Sequence, residues 1–197
     1  EGAWPKIDIL LAQKYAGAAG KSRRAVKIEW DGVSDLNPWR YALTIAVGLE
    51  PPAPLLKGAP LRYTYAAAAA PMLPLATRAA AADRAGGAGV LSAAAMVDLY
   101  AQIYAQDDTT GDWAANAATL RSAYVGDTPE ARMTALRQLW DGAGEGEARY
   151  SRQVLTAYAA ARMPVSSAFV ADAPDLVASM LAAGLDANAL RWAPQAD

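Results

Sequence analysis

Cysteine and histidine are both absent from the 197-residue chain, and this narrows its chemistry more than any residue it contains. Without them there are no disulfides, no zinc fingers, no thiol nucleophile, no histidine-based triad and none of the usual transition-metal sites. Catalysis would have to rest on carboxylates, Lys, Arg, Ser, Thr or Tyr. The missing cysteines fit an exported chain and a cytosolic one equally and assign no compartment. An excess of one charge is missing too: 18 basic against 20 acidic residues leave a formal net charge of -2, with both signs scattered along the chain. That leaves no basic stripe for nucleic acid and no acidic tail. The most basic short run, Lys21 to Arg24, reads as a solvated turn, so nucleic acid is not an expected partner. Long apolar runs are also lacking. The longest uncharged alanine-rich stretch, Tyr63 to Thr77, is shorter than the roughly 20 residues that a spanning helix needs and is interrupted by Pro71 and Pro74. No transmembrane segment is predicted.

Alanine dominates what is present. It loses no side-chain entropy in a helix and lets neighbouring helices approach closely, so the composition favours helix over strand. Ala, Gly, Pro and an excess of Arg over Lys are also what GC-rich codons specify, a non-structural reading of the same bias; either way the composition favours helix, and the chain is expected to be part of a longer bacterial protein. The chain begins at Glu1, which suggests a processed protein or a domain cut from a longer one, with export or the periplasm favoured over the cytoplasm. One continuous domain is the default at this length. Within it we expect N-terminal helices with an extended segment over 1–50, a proline-rich connection over 51–60, and a helical-hairpin region over 61–197.

Helix signals recur from Ser92 onward. Ser92 is placed to cap a helix whose Met96, Val97, Tyr100 and Tyr104 share one face. A second helix covers Trp113 to Tyr124 and closes at Gly126. A third has Asp127 or Thr128 as cap, Pro129 at its start, Glu130 in its first turn, and Met133, Leu136 and Trp140 as its stripe. A fourth places Tyr150, Val154, Tyr158 and Ala161 at the same spacing until Pro164 stops it. Asp172, Ala173, Pro174 and Asp175 then repeat the acid-and-proline start of a helix that Gly184 ends, and a short last helix reaches Trp192. Six helices joined by short connections imply antiparallel neighbours.

The first ninety residues are less regular. Helices are predicted from Pro5 and from Asn37–Pro38, and one or two alanine helices between Leu61 and Gly87, broken near Pro71 and Pro74. Val26, Ile28 and Trp30 alternate with Lys27 and Glu29. No second run of that period offers a partner, so an extended crossing segment is preferred to an edge strand. Leu-Arg precedes an aromatic at Leu120, Leu136 and Leu190, a recurrence that fits stacked hairpins, but the fuller tetratricopeptide and ankyrin patterns are not met. The fold expected is all-α, antiparallel hairpins packed as an α-α superhelix or an irregular bundle.

Three groups of residues are candidates for function. The acidic stretch Asp107 to Asp112 fails as a calcium loop in both registers. Counting from Asp107 puts Asp112 where glycine is required and Ala118 where the bidentate glutamate belongs; counting from Asp108 puts Trp113 and Thr119 there. It reads instead as a connector in which Thr110 or Asp112 caps the next helix. Glu29, Asp31 and Asp35, beside Trp30 and Trp39, are the only candidates for paired-carboxylate catalysis, since an indole beside an acid raises a carboxyl pKa in glycoside-cleaving enzymes. Third, 6 Trp and 9 Tyr against 1 Phe give most large rings a polar handle, which suits a groove; Trp30, Trp39, Tyr63, Tyr65, Tyr100 and Tyr104 are the groove candidates. Gly86, Gly87 and Gly89 match neither the dinucleotide nor the P-loop pattern and read as a helix terminator. No cofactor and no metal are predicted. The expected function is a non-catalytic interaction or scaffold module with a protein or peptide partner. The alternative is an α-helical glycan-acting enzyme or glycan-binding domain.

Overall fold

The computed structural model describes residues 28, 30–56, 59–106 and 111–195. Among them there is no strand, and ten α-helices pack against one another, as the composition predicts. They are α1 (Pro38–Ala46), α2 (Ala53–Leu56), α3 (Leu61–Ala69), α4 (Leu75–Gly87), α5 (Ala93–Tyr104), α6 (Asp112–Val125), α7 (Pro129–Asp141), α8 (Glu147–Ala161), α9 (Ala173–Ala182) and α10 (Asp186–Leu190). Short 3-10 segments follow at Ser167–Asp172 and Ala193–Gln195. The helix predicted from Pro5, Glu29, and the connector residues Asp107, Asp108 and Thr110 lie outside the described residues.

The helix starts follow the capping chemistry of the sequence. The Asn37 side chain accepts from the Trp39 amide at 2.9 Å, Ser92 Oγ from Ala95 at 3.3 Å, and Thr128 Oγ1 from Ala131 at 3.1 Å. Each satisfies one amide that the first turn leaves without a partner, an effect of about 1 kcal/mol. Gly184 ends α9 at φ 69°, where the Leu185 amide donates to the Met180 carbonyl at 2.9 Å and the Gly184 amide to Leu181 at 3.0 Å, the left-handed cap only glycine adopts cheaply.

Four local expectations are corrected. Asp112 does not cap α6; it is the helix's first residue, and the capping position belongs to Gly111, at φ 76°. Asp172 precedes α9 without capping it, because Arg137 holds both its carboxylate oxygens at 2.6 Å. The proline-rich connection contains one helical turn, α2, made possible because Pro51 and Pro52 precede the turn and Pro54 stands within its first residues, where no amide is needed. Gly86 and Gly87 do not terminate α4 but are its last two residues, and Gly89 (φ 72°) ends it. Their role is close approach: a Cβ on Gly87 would stand 2.6 Å from the Glu147 carbonyl oxygen, and one on Gly86 would stand 2.5 Å from the Met96 sulfur.

Successive helices from α3 to α10 pack in sequence, as hairpins do, but the array closes on itself. Helix α8 packs against α4, α5, α6, α7 and α9, which makes this a bundle around a central helix rather than an open superhelix. The stripe expected on α8 is therefore incomplete. Val154 is buried, but Tyr150 and Tyr158 are partly exposed, while Ser151, Leu155, Thr156, Ala157, Ala159 and Ala160 are buried around the circumference. A helix surrounded on most sides has no single apolar face, and its small residues let several neighbours come near. Apart from the unpartnered Ser151 Oγ, its buried side-chain polar atoms are tied across the interior: Trp140 Nε1 donates to Thr156 Oγ1 at 2.9 Å, Thr156 and Ser179 hydroxyls meet at 2.8 Å, and Ser179 donates to the Gln153 carbonyl at 2.6 Å. These bonds pin α7 and α9 to α8.

A second, smaller core lies on α1 and α3. Tyr41 and Tyr63 meet edge to face, their ring centroids 4.7 Å apart, with Ile45, Ala67, Ala70 and Leu73 around them. Each hydroxyl leaves the core to a main-chain carbonyl, Tyr41 to Tyr63 at 2.6 Å and Tyr63 to Leu36 at 2.7 Å. Upstream, the Val33 amide donates to the Trp30 carbonyl at 3.1 Å, with Gly32 at φ 71°, so residues 30–33 form a turn.

Candidate functional site

Helix α5 has apolar residues on more than one face. Met96, Leu99, Tyr100 and Ile103 point inward and are buried, whereas Val97, Ala101 and Tyr104 turn outward toward the outer edge of α6. Across from them α6 presents Ala117, Leu120, Arg121 and Tyr124. Three of the facing side chains are alanine, Ala101, Ala105 and Ala117, too small to fill the space between two helices. An open trough of about 320 Å³ results, at the lower edge of the roughly 300–1,000 Å³ of ligand pockets.

Tyr104 is 49% exposed at one rim, and the Arg121 guanidinium carbon lies 4.9 Å over its ring. Val125, 56% exposed, extends the opposite rim. Beyond Ala105 a second, more polar depression of about 620 Å³ continues past the end of α5, lined by Met72, Leu73, Arg78, Gln102 and Gln106 among others. There Arg78 donates through Nε to the Ala68 carbonyl at 3.1 Å and through Nη1 to Gln102 at 3.3 Å.

The floor of the trough is Tyr100, whose hydroxyl belongs to a closed polar cluster beneath it. It donates to Asp83 Oδ1 at 3.0 Å and accepts from Arg152 Nη1, while Arg152 Nη2 pairs with Asp83 Oδ2 at 2.9 Å. Burial pushes the Asp83 carboxyl up and the Arg152 guanidinium pulls it back. Burial and the neighbouring Asp83 charge push the Tyr100 phenol well above its usual range, so it is a neutral donor at pH 7. Every member is engaged with another member. The cluster locks α4, α5 and α8 together and offers no free base or nucleophile to the trough.

The sequence-derived candidates fall in different places. Asp31 and Asp35 are exposed near the 30–33 turn, Asp35 accepting from Ser34 Oγ at 3.2 Å; Glu29 lies outside the described residues. Neither Asp31 nor Asp35 lines either depression. Trp30 is half-buried with Arg40 5.7 Å from its ring, Trp39 is 70% exposed on α1, Tyr63 is in the small core, and Tyr65 is exposed on α3. Only Tyr100 and Tyr104 are brought together, as floor and rim of the trough. Its other wall, Leu120, Arg121 and Tyr124, is not among the sequence-derived site candidates, although these residues form the first of the three Leu-Arg-aromatic matches. The second match is structurally alike, with Leu136 and Trp140 buried and Arg137 directed to Asp172; the third differs, since Leu190 is 72% exposed.

Among the described residues no group of three or more acids is placed to hold a metal ion, and no helix is long and apolar enough to cross a membrane. No family model, curated protein or solved structure matches the chain.

Proposed function

We propose that this chain is a non-catalytic interaction module that holds an apolar segment of a protein partner in the α5–α6 trough. The observation that carries this reading is the trough itself. Two antiparallel helices leave a groove on each side; the inner one is covered by α8, and the outer one is open, floored by Tyr100 and lined by alanine, leucine and valine. A groove of that kind suits a helix that places side chains at i, i+3 or i+4, and i+7 into it. The engaged state of the Asp83–Tyr100–Arg152 cluster supports binding over catalysis.

The test is selection of random displayed peptides of about 16 residues, a little over four helical turns, on the immobilised protein. Binding of the selected peptides is expected to fall by about tenfold or more in Ala101→Trp, which fills the trough from its middle. Undiminished binding to that variant refutes the reading. A second reading, a glycan-binding surface, is supported by the exposed indole of Trp39, which follows the exposed Asp31 and Asp35 within a few residues of sequence. It predicts binding of β-linked oligosaccharides that Trp39→Ala abolishes and Ala101→Trp leaves intact.

A further inference from the structure

Resting on the trough reading, we infer that the docked segment is acidic as well as apolar: an amphipathic helix of a protein partner carrying Asp or Glu beside its apolar anchors. The reason is the charge left over at the site. Across the two adjoining depressions the only charged residues among the described lining are Arg121 and Arg78. Asp98, exposed on α5, is part of neither lining. Three arginines elsewhere are committed to carboxylates: Arg137 to Asp172, Arg149 to Asp175 and Arg152 to Asp83. Arg121 lies instead over the Tyr104 ring, and Arg78 donates to a main-chain carbonyl and a glutamine amide.

Among the described residues neither has an acidic partner, so each keeps spare donors for a carboxylate. Both are also held in place, Arg121 by the ring and Arg78 by two hydrogen bonds, so that little further side-chain entropy is lost when a carboxylate arrives. Ala105 belongs to both linings, which makes the apolar trough and the more polar depression neighbouring parts of one surface. A ligand lying along α5 thus meets apolar contacts in the trough, Arg121 at its rim, and Arg78 past the end of the helix. A basic segment would meet two unneutralised arginines, so the same pair rejects as well as attracts.

The peptide selection described above also tests this inference, through the composition of the selected pool and two charge variants. Acidic residues are expected to be enriched about threefold or more over the starting library, and binding is expected to weaken as salt is raised, since rim charges are screened over about 10 Å. Arg121→Glu should weaken the acidic peptides about tenfold while improving versions in which their Glu is replaced by Lys; Arg78→Gln should give a smaller loss. Circular dichroism and the melting temperature identify any variant that fails to fold, and Arg121→Gln provides a second substitution at the same position. Peptides blocked by Ala101→Trp but showing no acidic enrichment and no response to Arg121→Glu overturn this inference and leave the trough reading standing. Peptides indifferent to Ala101→Trp overturn both.

Discussion

The surroundings of α8 and the outer face of α5–α6 are built from the same residue types, yet they use them in opposite ways. Around α8 the alanines bring helices into contact and most polar groups are paired, Arg137 with Asp172, Arg152 with Asp83 and Trp140 with Thr156, the buried Ser151 Oγ being the exception. On the outer face the alanines leave a space, and among the described residues Arg121 and Arg78 are held without a carboxylate. Composition therefore does not distinguish the interior from the proposed docking surface in this chain; the pairing of the arginines beside each, among the described residues, does. One region should be sensitive to substitution in stability and the other in binding.

The largest effect expected is in the interior. Trp140→Ala removes a buried indole and leaves the Thr156 hydroxyl without its donor, and should destabilise the fold by about 3–5 kcal/mol in urea unfolding. Gly87→Ala comes next, at about 1–3 kcal/mol by thermal or urea denaturation, because its new Cβ meets the Glu147 main-chain oxygen, which cannot yield without moving α8. Gly86→Ala should cost less, since it meets the flexible end of Met96.

The arginines sharpen the comparison. Arg137→Ala strips both hydrogen bonds from the buried Asp172 carboxylate and should cost about 1–2 kcal/mol, reduced from a fully buried pair because Arg137 is half exposed. Smaller again, at about 1 kcal/mol, is Tyr41→Phe, which removes the hydroxyl's bond to the Tyr63 carbonyl in the small core. It also has a pH signature. Burial, with a lesser contribution from Tyr63, pushes the Tyr41 phenol up to about 12, while an unfolded tyrosine ionises near its ordinary value of about 10. Stability is full below pH 10 and drains away between pH 10 and 12, as the unfolded chain ionises first. The Tyr124 phenol, also pushed up to about 12 chiefly by burial, adds the same trend in the main bundle. Tyr41→Phe should make the alkaline loss shallower without abolishing it. The smallest effect belongs to Arg121→Ala, which should change unfolding by less than about 0.5 kcal/mol. A loss there as large as that of Arg137→Ala would erase the distinction between the two regions.

The local structure was legible where one residue decides one hydrogen bond. Asn37, Ser92 and Thr128 each cap the helix their position announces, and Trp113 to Tyr124 is helical. It was illegible where a residue's role depends on a distant helix. Periodicity placed Tyr150 and Tyr158 on the buried face of α8, but a central helix is covered from several directions, and the direction it leaves open is set by α4, α5 and α9 rather than by spacing. Asp172 carries the cap pattern, yet an arginine 35 residues upstream claims it. The site follows the same rule. Tyr100 and Tyr104 could be selected as half-polar rings on one helix, but the opposing wall depends on how α6 is set against α5, and the emptiness between them depends on which alanines face each other. Leu120, Arg121 and Tyr124 carried a signal only as one of three short matches, one of which has no structural counterpart at Leu190.

The most direct test is amide hydrogen exchange of the intact chain with and without the tightest of the selected peptides. Slowed exchange confined to α5 and α6, over residues 97–105 and 117–125, is the predicted result, with α1, α3 and the turn at 30–33 unchanged. Protection centred on Trp30, Trp39 and α1, with α5 and α6 unaffected, would contradict the account and move the binding surface to the other end of the chain.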